Sequence, residues 1–270
     1  MVVFLLVCMS IIGVYRRYTV VGGIGSHFRH YVSPRFYFTF WDRKLQKQYN
    51  YLPDFCEQHF PYYRRLNERE KKEFVHRVSR IHRHKIIFAE EGFTIQLYQE
   101  ILVCASVAQI TFGLKSRYWL PSYTHIRLHP TTFYSKLIEH AVNGLTFQNE
   151  VIHLSWNHFY HGHTDPEDGR NLGLHELAHA LYFDFEHNLS RNRFHDYFVK
   201  AKKMFQEGHE AHPFFRAYAF TNQHEFWAVS IELFFEKPEA FVTEYPHLYK
   251  ALSRVLQQDP LRQDHVKTSS

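Results

Sequence analysis

Residues 2–14 are apolar apart from Ser10, and Arg16 and Arg17 follow at once. The run is shorter than the ~20 apolar residues a spanning helix wants. Nothing basic precedes it, which argues against a secretory signal. Arginines on its carboxyl side predict a membrane anchor over 1–24 with the body of the protein in the cytoplasm, at the inner face of the membrane. A buried apolar arm is the alternative. Residues 25–45 read as a linker, aromatic and basic with Pro34 inside it. From residue 46 the pattern becomes that of a folded domain. Asn67 and Glu70 form a capping-box pair, and Phe74, Val78 and Ile81 recur at helical spacing, so a helix is predicted over 67–84. Residues 85–89 read as a short strand. Leu97, Ile101, Ala105, Ala108 and Phe112 mark a helix over 94–112, ended by Gly113. Residues 123–129 alternate as a strand closed by Pro130.

Residues 145–147 and 151–156 read as a hairpin with its turn at 148–150. The Gly, Asp-Pro and Asp-Gly signals of 161–170 predict a loop. Helical patterns follow over 171–184, 191–207, 222–236 and 240–256, then a polar tail over 261–270. Strands and helices mix without βαβ alternation, so the expected class is α+β, in one domain over 46–260.

Apolar residues make up 45% and charged residues 22%, which excludes a disordered chain and a multi-span membrane protein. The net charge of +5 is spread along the chain, so no nucleic-acid surface is expected. Three separated cysteines, Cys8, Cys56 and Cys104, form no Cys-x-x-Cys pair, so neither a disulfide framework nor a thiolate metal knuckle is expected. The 22 histidines direct attention to metal chemistry.

The sharpest motif is His175-Glu-Leu-Ala-His179. On a helix, positions i and i+4 share a face, so both imidazoles can address one ion, and Glu176 stands beside it as a base. Its flanks, Leu174, Leu177, Ala178 and Leu181, suit a buried helix. A catalytic zinc needs a third protein ligand. Tyr182 and Phe185 stand where a metzincin would have Gly and His, so that class is excluded. Glu225, on the apolar helix 222–236, is the candidate; a capping box with Asn222 is its other reading, and His224 is a competing ligand. Glu232, seven residues on, reads as a partner orienting a ligand histidine, or as an ordinary salt bridge. Tyr218, seven residues before Glu225, can donate to a developing oxyanion, or simply pack in the core as one of 18 tyrosines.

These stretches resemble the Mlc titration factor A family of zinc-dependent peptidases, which are gluzincins. The resemblance covers about residues 50–260. It rests on Phe60-Pro-Tyr-Tyr-Arg-Arg-Leu, Leu154-Ser-Trp156, the His175–His179 motif after its Asp-Gly loop, the stretch 225–238, Tyr245-Pro-His-Leu-Tyr and Gln258-Asp-Pro. The site is also similar to that of anthrax lethal factor. The resemblance implies a zincin-like domain with a helical amino-terminal part and one Zn2+ per chain. His175, His179 and Glu225 would be the metal ligands, Glu176 the base and Tyr218 the oxyanion donor. It implies peptidase, including aminopeptidase, activity on a peptide or protein substrate, with strand 151–156 as the edge that pairs with it. A regulatory protein partner is also implied, and a binding module that sequesters a transcriptional regulator is the alternative function. The family's Asp three residues after the second histidine is Tyr182 here; Asp184 lies nearby in a different register.

Overall fold

The computed structural model describes residues 49–261 apart from 116, 148–150, 166–167 and 189–190. The chain divides into two compact units, Met1–Asn50 and Tyr51–Ser270. The expected anchor, the linker, the hairpin turn at 148–150 and nearly all of the polar tail lie outside the described residues. Among the described residues no helix is long and apolar enough to cross a membrane.

The second unit is α+β, as expected, and opens with helices: α1 (Leu52–His59), α2 (Pro61–Arg64) and α3 (Glu68–His84). The Asn67 side chain accepts from the N–H groups of Arg69 and Glu70, and Glu70 Oε2 accepts from Asn67 N at 3.2 Å, so the capping box forms. Strand β1 (Ile86–Ala89) leads to α4 (Leu97–Thr111), whose residues 101–111 are all buried. Then come β2 (His125–His129), β3 (Phe133–Ser135), β4 (His140–Val142), β5 (Gly144–Thr146) and β6 (Ile152–Ser155). Helix α5 (Trp156–Thr164) precedes the long α6 (Leu172–Asn188) and α7 (Arg191–Glu207). A 3-10 turn at Ala217–Phe220 leads into α8 (Gln223–Glu236), followed by α9 (Pro238–Glu244) and α10 (Pro246–Leu256).

The main sheet has the order β1-β2-β6-β5. β1, β2 and β6 are parallel, and β5 is antiparallel to β6. Ile126, Leu128, Ile152 and Leu154 are fully buried. Burying both faces of α4 and one face of this sheet supplies the apolar area that stabilises the unit. A second seam joins α8 to α6: Trp227 is fully buried and its indole N–H donates to Ala178 O at 2.8 Å. Phe194 and Tyr197 pack on the same indole, at 5.1 and 5.0 Å between ring centroids.

Four expectations change. Strand 151–156 is not at the edge, because β6 lies between β2 and β5, and β5 is the edge strand on that side of the sheet. The loop expected over 161–170 is helical as far as Thr164, so His158, His161 and His163 sit on α5. The helix expected over 240–256 is two helices, since Tyr245 leaves helical geometry (φ −135°, ψ 61°) before Pro246 starts the second. The hairpin β3–β4 has no counterpart in the sequence reading.

Asp184 is fully buried. It accepts from the Tyr118 hydroxyl at 2.6 Å and from the Ser122 hydroxyl, pinning the loop before β2 to α6. Asp184→Ala removes a fully buried acceptor from two partly buried hydroxyls and is expected to cost roughly 1–3 kcal/mol, a fall in Tm of about 3–9 °C. Thermal melting beside a metal titration checks this; metal affinity should be unchanged.

Candidate metal centre

Helix α6 starts from Asn171, whose side chain accepts from Leu174 N at 3.0 Å as an N-cap. One turn in, His175 and His179 face the same way, with their Nε2 atoms 3.2 Å apart. Helix α8 brings the third group. Asn222 caps it by accepting from the N–H groups of His224 and Glu225 at 2.9 and 3.0 Å. The cap uses the backbone of Glu225 and leaves its side chain for the histidines. Its Oε2 lies 3.0 Å from His175 Nε2, and its Oε1 lies 3.5 Å from His179 Nε2. The His224 ring packs instead on Tyr182, 4.4 Å between centroids.

Glu232 settles the protonation of His175. It is 1% exposed, and its Oε1 lies 2.7 Å from His175 Nδ1. Burial opposes its charge, but the bonds from His175 and Arg216 hold its carboxyl below the usual range. An ionised carboxylate only accepts, so Nδ1 carries the proton. Nε2 is then the ring atom that faces His179 and Glu225. Three ligand atoms from His175, His179 and Glu225 lie within 4.8 Å of one another. Burial alone would disfavour an imidazolium at His175, yet the Glu225 and Glu232 carboxylates raise its pKa to about 10, so without an ion Nε2 also carries a proton, the one a metal would displace. Glu225 also pays a burial cost, which its bonds to the two histidines outweigh, so it stays ionised.

Such a cluster calls for positive charge at its centre. The 3.2 Å between the two Nε2 atoms is close to the ~3.3 Å edge of a tetrahedron around an ion with zinc-like bond lengths, and each Glu225 oxygen approaches one of the histidines, at 3.0 and 3.5 Å. Glu225 Oε2 is buried with no well-aligned hydrogen bond, as expected of an atom aimed at an ion rather than at a donor. The residues present therefore fit a divalent metal.

The chain matches the family model described as glucose-regulated metallo-peptidase M90 over residues 41–257. It belongs to that metallopeptidase family. It is 25% identical over 237 residues to proteins named Mlc titration factor A from Escherichia coli O1:K1, E. coli O45:K1 (strain S88) and Shigella boydii serotype 18. Each match covers 74% of this chain and 83% of the relative.

In this M90 chain Glu176 is 5% exposed and lies against the edge strand. Thr146 Oγ1 donates to Glu176 Oε2 at 2.8 Å and also to Glu176 O at 3.2 Å. A Cβ on Gly144 would lie 2.6 Å from Glu176 Cδ, so a larger residue there would displace the Glu176 carboxylate. Burial raises the Glu176 carboxyl above its ordinary range, and His179, His175 and Thr146 draw it partly back. Tyr218 sits on the 3-10 turn, 51% exposed, with its ring 6.0 Å from that of His175. Burial and the Glu225 carboxylate, to which its hydroxyl is hydrogen-bonded, push its pKa up to about 12, so it remains a donor.

All five sequence-predicted groups thus meet around one point. Sequence reasoning missed four others: Gly144, Thr146, Asn171 and Arg216. Only Asn171 carried a local signal, as a capping residue before an apolar helix. Glu232→Gln keeps the shape of the orienting carboxylate but not its charge. It is expected to weaken zinc binding about 10- to 100-fold, as read by competition with a chelator.

Proposed function

We propose that the chain is a zinc-dependent peptidase in which Glu176 is the general base. One observation carries the reading: a buried carboxylate, held by Thr146, stands directly beside two histidines and a carboxylate whose lone pairs converge. His175, His179 and Glu225 would hold the ion. Zinc in such a site supplies Lewis acidity, bringing the pKa of water down to about 7.

The raised carboxyl of Glu176 suits it to take a proton from the attacking water and return it to the leaving amine nitrogen. The Tyr218 hydroxyl, protonated at neutral pH and half exposed, would exchange its bond to Glu225 for one to the oxyanion of the tetrahedral intermediate.

The edge strand supplies a place for the substrate backbone. Ser155 N donates to Asn143 O at 2.7 Å, so that opposing pair is a hydrogen-bonded one. The register then leaves the N–H and C=O groups of Gly144 and Thr146 pointing away from β6. An extended peptide pairing there would lie along Glu176. Aminopeptidase action, implied by the family resemblance, fits this site as one use of it. The name of the relatives, titration factor for Mlc, favours a second reading in which the same fold sequesters a regulatory protein. A pure scaffold has no need of a buried base, and we rank the peptidase first.

A panel of amino-acid and peptide chromogenic substrates, offered to the zinc-loaded chain, tests the proposal. Glu176→Gln is expected to bind zinc like the wild type and to lose at least about 100-fold in kcat. Wild-type turnover in that variant would sink the mechanism. Zinc bound in both proteins with turnover in neither would favour the sequestering module. Preference for free-amino substrates would identify an aminopeptidase.

A further inference from the structure

The His175 side of the site is held by a residue on the segment that carries Tyr218. Arg216 Nη2 donates to Glu232 Oε1 at 2.6 Å, and its Nη1 lies 3.3 Å from Glu232 Oε2. The same Nη1 donates to Gly169 O at 3.0 Å. One guanidinium thereby ties together α8 and the loop that enters α6. The remaining donors to Glu232 are His175 Nδ1 and the Asn171 backbone N–H, each at 2.7 Å.

Arg216 also opens the turn bearing Tyr218. Its carbonyl accepts from Ala219 N at 2.9 Å, and its guanidinium carbon lies 5.8 Å from the centre of the Tyr218 ring. Phe215, just before it, is fully buried and stacks on Phe226 of α8 at 4.9 Å. The segment is therefore clamped to α8 by an apolar contact on one side of Arg216 and by the ion pair through Arg216 itself.

We propose that Arg216 is a positioning residue that sets His175 through Glu232 and sets the Tyr218 turn through its own backbone and ring contact. A carboxylate in a low-dielectric site turns toward its strongest donor. With the fork in place, Glu232 Oε1 is shared between Arg216 and His175, which fixes the plane of the imidazole. Without it, Glu232 keeps only His175 and Asn171, and the carboxylate can rotate. Lysine would keep the charge but offers no planar fork to grip two oxygens at once. This inference rests on the metal-site reading given above.

The test compares wild type, Arg216→Gln, Arg216→Lys and, as a surface control, Arg254→Gln, all as full chains. Zn2+ affinity is measured by competition with a chelator, and the ligand field by visible absorption of the Co2+-loaded proteins. Arg216→Gln is expected to weaken zinc about 10- to 100-fold and to alter the cobalt bands, with the circular dichroism of the folded protein retained. Arg216→Lys, which leaves Glu232 compensated and guards against a folding failure, should move both readouts in the same direction. In a Glu232→Gln background, Arg216→Gln should add less than about 2-fold, because the two act on zinc through one carboxylate. Wild-type zinc affinity and cobalt spectrum in both Arg216 variants would overturn the proposal. A wild-type chain that binds no zinc would instead overturn the metallopeptidase reading itself.

Discussion

A carboxylate can be ionised in a protein interior only if donors surround it. Glu232 is such a group, 1% exposed, and it receives donors from His175, Asn171 and Arg216. Much of the site follows from this one constraint. The proton it draws to His175 Nδ1 leaves Nε2 as the ring atom that faces His179 and Glu225. The Asn171 N–H it accepts lies at the start of α6, beside the cap that launches the motif helix. The arginine it accepts begins the turn that carries Tyr218. A carboxylate placed behind a histidine in this way would orient a metal-binding ring and raise its basicity.

The second organising feature is the antiparallel edge strand. β5 places Gly144 and Thr146 over Glu176: one by lacking a side chain, the other by donating a hydrogen bond. Glu176 is thereby buried without an ion-pair partner of its own, which is the environment that raises a carboxyl toward useful basicity. The strand that positions the base is also the one whose backbone faces outward. On the proposed reading, three residues of chain would bring substrate and base together.

Much of this could be read in the sequence because it is local. The cap at Asn67, the i,i+4 histidines and the spacing between Glu225 and Glu232 each lie within a few turns of one helix. Glu225 had two readings, ligand or capping box; Asn222 caps the helix through the Glu225 backbone N–H, and the Glu225 side chain turns to the histidines instead of closing a box. Strand order was not legible, since pairing of β6 with both β2 and β5 is a long-range property. Helix α5 was hidden by Gly162 and its run of histidines, which read as loop until packing against α6 decides otherwise. Arg216 was invisible for a similar reason: its partners lie 16 and 47 residues away and leave no periodic trace.

The central claim is that His175, His179 and Glu225 hold one zinc ion while Glu232 keeps its grip on the far side of His175. Crystals of the zinc-loaded full chain, measured on both sides of the zinc absorption edge, address it directly. The account predicts a single anomalous peak bonded to His175 Nε2, His179 Nε2 and a Glu225 oxygen, with Glu232 still bonded to His175 Nδ1. A peak elsewhere, or an ordered site with His175 turned away from Glu232 and no ion between the helices, would contradict it.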